Sequence, residues 1–374
     1  MSDNLLIVAG EPSGDALGGP LSEEISKIRP DIELWGFGGQ KMASAGVEIL
    51  TDVEELSFMG FTEVLLHLPA MFKRLDFLVK EAKRRKAVAA VLIDYPGFNL
   101  RLASKLSNNG IPVIYYVSPQ IWAWKPKRIE TIKRAVDKML LILPFEEDIY
   151  RQAGVPAVFV GHPFLDSVVP SRQPWDFRKE HGLSEPLLLL LPGSRKQEVE
   201  RLLSPMLGTF ELLRKEFPGL CGIVLRASNL PKQLYSEAVE KEKIKVISDY
   251  SFDAMFASSA ALCCSGSATL QCAVAGLPHI VTYKASALSL AIYKRVIRTK
   301  FVGLSNLVAA EQVAPELLQN NATPEKMADA VRRWLANPEE RSRNIAELAK
   351  VKEKLGSPGA ADRAAKEDSF FVGS

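Results

Sequence analysis

The run "NLLIVAGEPSGDALGG", Asn4 to Gly19, decides the fold, because a short apolar stretch passes directly into a glycine-rich turn and then into a helical pattern from about Ala16. That is the strand–turn–helix plan of a parallel α/β sheet. The glycines fall at Gly10, Gly14, Gly18 and Gly19, a spacing that fits neither GxGxxG nor GxxxxGK[ST]. The turn also carries Glu11 and Asp15; acids suit a helix N-terminus but repel a phosphate placed there. The turn is better suited to sugar hydroxyls or an acceptor group, met by Glu11 and Ser13, or to simple capping with Ser13 as the N-cap residue.

The same rhythm continues outward. β-rich runs at 89–94 (AAVLID), 112–118 (PVIYYVS), 138–144 (KMLLILP) and 157–161 (AVFVG) alternate with helical patterns. Four prolines and mixed charges from Pro163 to Pro186 read as a linker. The plan then restarts with "LLLLLPGSRKQEVERLL" at 187–203, followed by strands at 222–228, 244–248, 260–267 and 278–283. The expectation is two doubly wound α/β domains in tandem, residues 1–165 and 166–344, with a helix-like tail, 345–374, packing back on the first. Ligands of such sheets bind at the carboxyl ends of the strands, and a cleft between the domains is the expected active site.

Composition narrows the function. With 374 residues, 47% hydrophobic, 24% charged and a net charge of +3, the chain has room for two cores and no pull toward a polyanion, so nucleic acid is not an expected partner. The stretch Met1–Asn4 carries no basic residue and Leu5–Ala9 is too short for a signal peptide or a membrane span, which points to a cytoplasmic protein. Cys221, Cys263, Cys264 and Cys272 lack a CxxC pair and read as reduced core thiols. His67, His162, His181 and His279 are scattered, and no metal or other cofactor is expected.

The anion chemistry lies in the second half. In "LPGSRKQE" the turn offers Gly193, Ser194 and the forked cation of Arg195 to a diphosphate. In "CCSGSATLQCAVAGLP" Ser265, Gly266 and Ser267 end a strand and open a helix whose first turn, with Ala268 and Thr269, is small. Gln271 could reach a ribose hydroxyl. The competing reading is a helix that uses alanine and glycine to approach its sheet.

With two Rossmann-like halves and these two turns, the chain resembles the GT-B glycosyltransferases. More narrowly it is similar to the lipid-A-disaccharide synthases. The blocks that carry the likeness are AGEPSGDALG (9–18), MGFTEVL (59–65), IDYPGFN (93–99), YVSPQIWAWKPKRI (116–129), LPFE (143–146), FVGHP (159–163), LPGSRKQEVE (191–200) and SGSATLQ (265–271). Two positions depart from the family pattern: Gly97 stands where an acid is usual, and Gln271 where glutamate is usual.

The resemblance implies inverting transfer of a diacylglucosamine unit from UDP-2,3-diacylglucosamine to the 6-hydroxyl of 2,3-diacylglucosamine 1-phosphate (lipid X), without a metal. Asp94, at the end of AAVLID, is the expected base, or else a cap for the Pro-Gly turn. Arg195 and the 265–269 turn would meet the charge arriving on UDP. Asn306 matches a family position near the nucleotide, or satisfies local backbone; His162 reads as a hinge residue. Met59–Lys86 shows apolar residues at helical spacing, including Phe61, Phe72, Leu75 and Leu78, beside seven Lys/Arg from Lys73 onward. Such a face suits the inner surface of the inner membrane, and an ordinary core helix would show the same period. "WAWKPKR" (122–128) could take an acyl chain and a phosphate, or simply pack. A homodimer is compatible with this reading. The rivals are a UDP-sugar epimerase or a transferase with another acceptor, and a lipid-binding homologue that has lost catalysis; a dinucleotide-dependent oxidoreductase falls for want of its fingerprint.

Overall fold

The computed structural model describes residues 3–57, 68–248, 252–286 and 299–368. Two compact units divide the chain: Met1–Pro163 with Gly356–Ser374, and Phe164–Leu355. The return to the first unit thus begins at Gly356, after the helix Pro338–Lys354 has been spent on the second.

The first unit holds seven parallel strands, β1 (Asn4–Ala9), β2 (Glu33–Gly38), β3 (Glu48–Asp52), β4 (Ala89–Ile93), β5 (Val113–Tyr116), β6 (Lys138–Leu141) and β7 (Ala157–Phe159), in the order β3-β2-β1-β4-β5-β6-β7. Sequence reading missed β2 and β3: ELWGFG is interrupted by glycines, and EILTD is a half-exposed edge strand with two acids. Along β1, Leu6 and Val8 enter one core while Leu5, Ile7 and Ala9 enter the other, so every residue from Leu5 to Ala9 is apolar because both faces are covered. The first helix starts at Pro12 rather than near Ala16, since proline is pre-set for the first helical position. Glu11 is the N-cap residue and Ser13 lies exposed inside the first turn, which corrects the expected Ser13 cap.

The opening glycines serve packing. A Cβ on Gly18 would stand 2.6 Å from Met42 Sδ, and one on Gly10 would stand 2.0 Å from Tyr95 Cδ1. Asp15 is likewise structural: its carboxylate accepts the N–H groups of Gly39, Lys41 and Met42 at 2.7–3.1 Å, capping the next helix.

The second unit holds six parallel strands, β8 (Leu187–Leu191), β9 (Cys221–Leu225), β10 (Ile244–Ile247), β11 (Ala260–Cys264), β12 (His279–Tyr283) and β13 (Glu316–Leu318), ordered β10-β9-β8-β11-β12-β13. The leucines of β8 alternate between two cores, each fully buried one worth about 2 kcal/mol. The stretch read as linker contains the helix Pro174–His181, whose Phe177 is part of a core. All four cysteines are free and buried.

Of the amphipathic segment 59–86, residues 59–67 lie outside the described residues. In the helix Leu68–Arg85, Leu75, Leu78 and Ala82 are fully buried in the core, so Leu75 and Leu78 follow the core-helix alternative and not the membrane-facing one. Phe72 and Phe77 remain exposed. Among the described residues no helix is long and apolar enough to cross a membrane.

Candidate active site

Each sheet reverses its strand order once, between β1 and β4 in the first unit and between β8 and β11 in the second. At such a point loops from adjacent parallel strands part to opposite faces and open a crevice at the strands' carboxyl ends. Ala9 is paired with Ile93, and Leu191 with Cys263. The turns singled out after β1, β4, β8 and β11 therefore sit at two switch points, one in each unit.

In the first unit, Asp94 and Tyr95 both take left-handed backbone, with φ of 46° and 47°. That conformation costs of order 1–3 kcal/mol per non-glycine residue, so its surroundings must impose it. The Asp94 N–H donates to the Tyr116 carbonyl at 2.9 Å. The Asp94 carbonyl accepts from the Tyr115 hydroxyl at 2.6 Å and from Asn99 Nδ2 at 2.9 Å, and the same amide donates to the Ile93 carbonyl at 3.0 Å. Pro96 then starts the helix Pro96–Ser107. Burial, and secondarily the charge of Glu11, pushes the Asp94 carboxyl up to about 6. Glu11 and Asp94 thus act on one another across the switch point, and Asp94 is a stronger base than a free aspartate while still ionised at neutral pH.

Sequence reading gave no role to Glu146, although "LPFE" was in view. It is buried at the start of the helix Glu146–Ala153, where Trp122 Nε1 donates to Oε1 at 3.0 Å and Oε2 has no hydrogen-bond partner among the described residues. Burial raises it to about 8, against the Trp122 hydrogen bond, with the charge of Asp94 a minor contributor. Ser118 and Tyr150 share a hydrogen bond of 2.7 Å nearby, and Trp122 packs edge-on to Phe145 at 5.2 Å. The signal available in the sequence was an acid a few residues past the apolar end of β6, closing the LPFE block. His162 is buried, and burial lowers it to about 4, so it is neutral.

In the second unit, the Arg195 side chain is 80% exposed and donates to Glu198 Oε1 at 2.8 Å. The N–H groups of Ser194 and Arg195 donate to Glu198 Oε2 at 3.1 and 3.2 Å. The loop donors that the sequence reading offered to a diphosphate are therefore already held by an acid from the helix's own first turn. What remains outward is the guanidinium, close enough to Tyr283 and Cys264 to feel both.

Gly266, at φ 146°, is a backbone that only glycine adopts freely, and nothing lies within 4 Å of where its Cβ would stand. It and Ser267 are exposed at the start of the helix Ser267–Val274. The side-chain amide of half-buried Gln271 makes no hydrogen bond among the described residues. The other nominees turn inward. Ser265 Oγ donates to the Val302 carbonyl at 3.0 Å; Thr269 Oγ1 donates to the Gly266 carbonyl at 2.8 Å and accepts the Leu304 N–H at 3.0 Å. Asn306 is fully buried, with Nδ2 donating to the Ala314 carbonyl and Glu316 Oε1 and with Oδ1 accepting from Val313 and Ala314, all at 2.7–2.9 Å. Its side-chain hydrogen-bonding capacity is spent, which matches the alternative of an amide that satisfies local backbone: Thr269 and Asn306 shape the loop around 302–306.

The chain matches the family model described as lipid-A-disaccharide synthetase over residues 5–366. It is 42% identical over 366 residues to the lipid-A-disaccharide synthase of Myxococcus xanthus, covering 97% of this chain and 96% of that one. To the enzyme of the same name from Coxiella burnetii it is 38% identical over 365 residues, covering 97% of each chain. Among solved structures it resembles the UDP-GlcNAc 2-epimerase of Neisseria meningitidis bound to UDP-GlcNAc, with a TM-score of 0.61 at 11% identity over 99% of each chain. It also resembles the calicheamicin glycosyltransferase, with a TM-score of 0.62 at 14% identity over 100% of this chain and 98% of that one. The fold is that of the GT-B enzymes, and the chain belongs to the lipid-A-disaccharide synthetase family.

Proposed function

We propose that this protein transfers a 2,3-diacylglucosamine unit from UDP-2,3-diacylglucosamine to the 6-hydroxyl of 2,3-diacylglucosamine 1-phosphate. The products are a β-1,6-linked disaccharide 1-phosphate and UDP. The observation that carries this reading is the strained, over-determined turn that presents Asp94 at the first unit's switch point with a carboxyl raised to about 6. In the step, the acceptor oxygen bonds to the donor's anomeric carbon as its proton passes to the Asp94 carboxylate. The bond from that carbon to the diphosphate oxygen breaks, its electron pair leaves on UDP, and the configuration inverts. The charge on UDP is met by the outward guanidinium of Arg195 and by the open turn at Gly266 and Ser267, donors of a kind worth a few kcal/mol each in a dry site. Ser194 flanks this group and Gln271 serves the ribose, while Glu11 and Ser13 face the acceptor sugar. The 1–165 half is then the acceptor domain and the 166–344 half the donor domain.

Phe72 and Phe77, exposed among the lysines of the helix Leu68–Arg85, support peripheral attachment to the inner face of the inner membrane, where lipid substrates reside. The test is to incubate the purified protein with both substrates and a chelator and to follow UDP and the disaccharide by mass spectrometry. Product is expected from the intact protein and none above background from Asp94→Ala. Absence of product from the intact protein refutes the function; undiminished product from the variant refutes the base.

A further inference from the structure

An open cavity of about 550 Å³ lies in the first unit against Phe72 of the helix Leu68–Arg85, Pro96, Leu100 and Arg101 of the helix Pro96–Ser107, and Lys125 and Arg128 beyond β5. The geometry points to this cavity as the seat of the acceptor's phosphate and of the hydrocarbon chain next to it. The assignment rests on the reaction proposed above and adds to it a binding subsite for the acceptor.

The argument begins with charge. Arg101, Lys105, Lys125 and Arg128 line the cavity, and no acid does among the described residues. Lys105 is paired with Asp76 at 2.8 Å, but Arg101, Lys125 and Arg128 make no ion pair among the described residues. Arg101 donates to the Gly97 carbonyl one turn back along its own helix. Lys125 is held in left-handed backbone, φ 53°, and its ammonium stands 4.4 Å from the centre of the Trp124 ring, with the Arg128 guanidinium 5.1 Å from the same ring. Gathering two cations around one indole, with Arg101 lining the same cavity, is unfavourable until an anion arrives. Burial lowers the pKa of both Lys125 and Arg128, and the neighbouring charge of Arg101 lowers each further. A phosphomonoester, with up to two charges and several acceptor oxygens, relieves that repulsion.

The second feature is the apolar wall. Phe72 is 45% exposed, and Pro96 and Leu100 continue its surface. A free phosphate has no use for such a wall; a phosphate on an acylated sugar does. Position supplies the third. Pro96 lines the cavity two residues after Asp94, so a sugar whose hydroxyl meets that carboxylate can extend its phosphate end toward the cations.

The test compares wild type with the Arg101→Gln/Lys125→Gln double variant and, separately, with Arg128→Gln, each verified by its thermal melt. Two acceptors are used, diacylglucosamine 1-phosphate and the same compound lacking the phosphate. The ratio of kcat/KM between them should fall about 10- to 100-fold in the double variant, through KM of the phosphorylated acceptor. An unchanged ratio overturns the subsite. If wild type turns over neither acceptor, the reaction reading fails, and calorimetric binding of short-chain diacylglucosamine 1-phosphate decides the subsite alone: binding lost in the variants upholds it, binding retained overturns it. Co-sedimentation with phosphatidylglycerol vesicles separates the two sources of lipid phosphate. Loss of vesicle binding with an unchanged acceptor ratio would give the cations to the bilayer and overturn the assignment.

Discussion

Glu146→Gln should change stability by an amount that depends on pH. Glu146 is buried and titrates near 8 instead of 4.5, with burial as the main cause. The folded chain therefore keeps a proton that the unfolded chain has already lost, and wild-type stability declines as pH rises from about 4.5 until the decline ends near 8. The full interval is worth on the order of 5 kcal/mol, of which about 3 kcal/mol has accrued by pH 7. Glutamine keeps the shape and the acceptor that Trp122 uses, and titrates in neither state. The variant should match wild type near pH 4.5 and exceed it by about 3 kcal/mol at pH 7. Denaturant titrations at pH 5, 7 and 8.5, followed by tryptophan fluorescence, measure the difference. A difference that stays constant across these values would refute the reasoning, because it would mean that no proton is retained on folding.

Other consequences are as direct. With Asp94 at about 6, kcat/KM should rise tenfold per pH unit below that value and level off above it; Glu11→Gln should move the midpoint downward by removing a like charge, and a wild-type midpoint near 4 would contradict the site. Asn99→Ala leaves the Ile93 carbonyl without its amide and frees the left-handed turn, costing about 2 kcal/mol in denaturant titrations and lowering kcat more than it raises KM. Arg195→Ala and Asn306→Ala should part company. The first raises KM for the UDP-sugar with little change in melting temperature, since its guanidinium is exposed. The second lowers the melting temperature, since four buried hydrogen bonds go with it, at about 1–3 kcal/mol for each orphaned group.

What the sequence made legible was whatever is written locally. The fully apolar runs of β1, β4 and β8 announce strands covered on both faces, and a turn after each places Glu11, Asp94 and Arg195 without reference to the rest of the chain. Direction and partnership were not legible. Asn306, in the helix Leu304–Ala309, has its amide consumed by backbone seven and eight residues away, while the turn at Gly266 is open, a distinction made only by packing. Glu198 reads as an ordinary first-turn acid until its carboxylate is seen to hold the N–H groups of Ser194 and Arg195. Glu146 escaped for the converse reason: its raised affinity for a proton comes from the walls around it, and Trp122, its donor, lies 24 residues earlier.

The helix Ala360–Asp368 lays Ala364 and Ala365 into the same core as β1, while Arg363 donates to the Val160 carbonyl at 2.7 Å. A ribosome delivers these residues only after the whole of the second unit has emerged. Until then the first-made half waits with one flank of its interior uncovered, so its completion is timed by its neighbour's synthesis. A premature stop just after Leu355 would leave that neighbour intact and the older half unfinished.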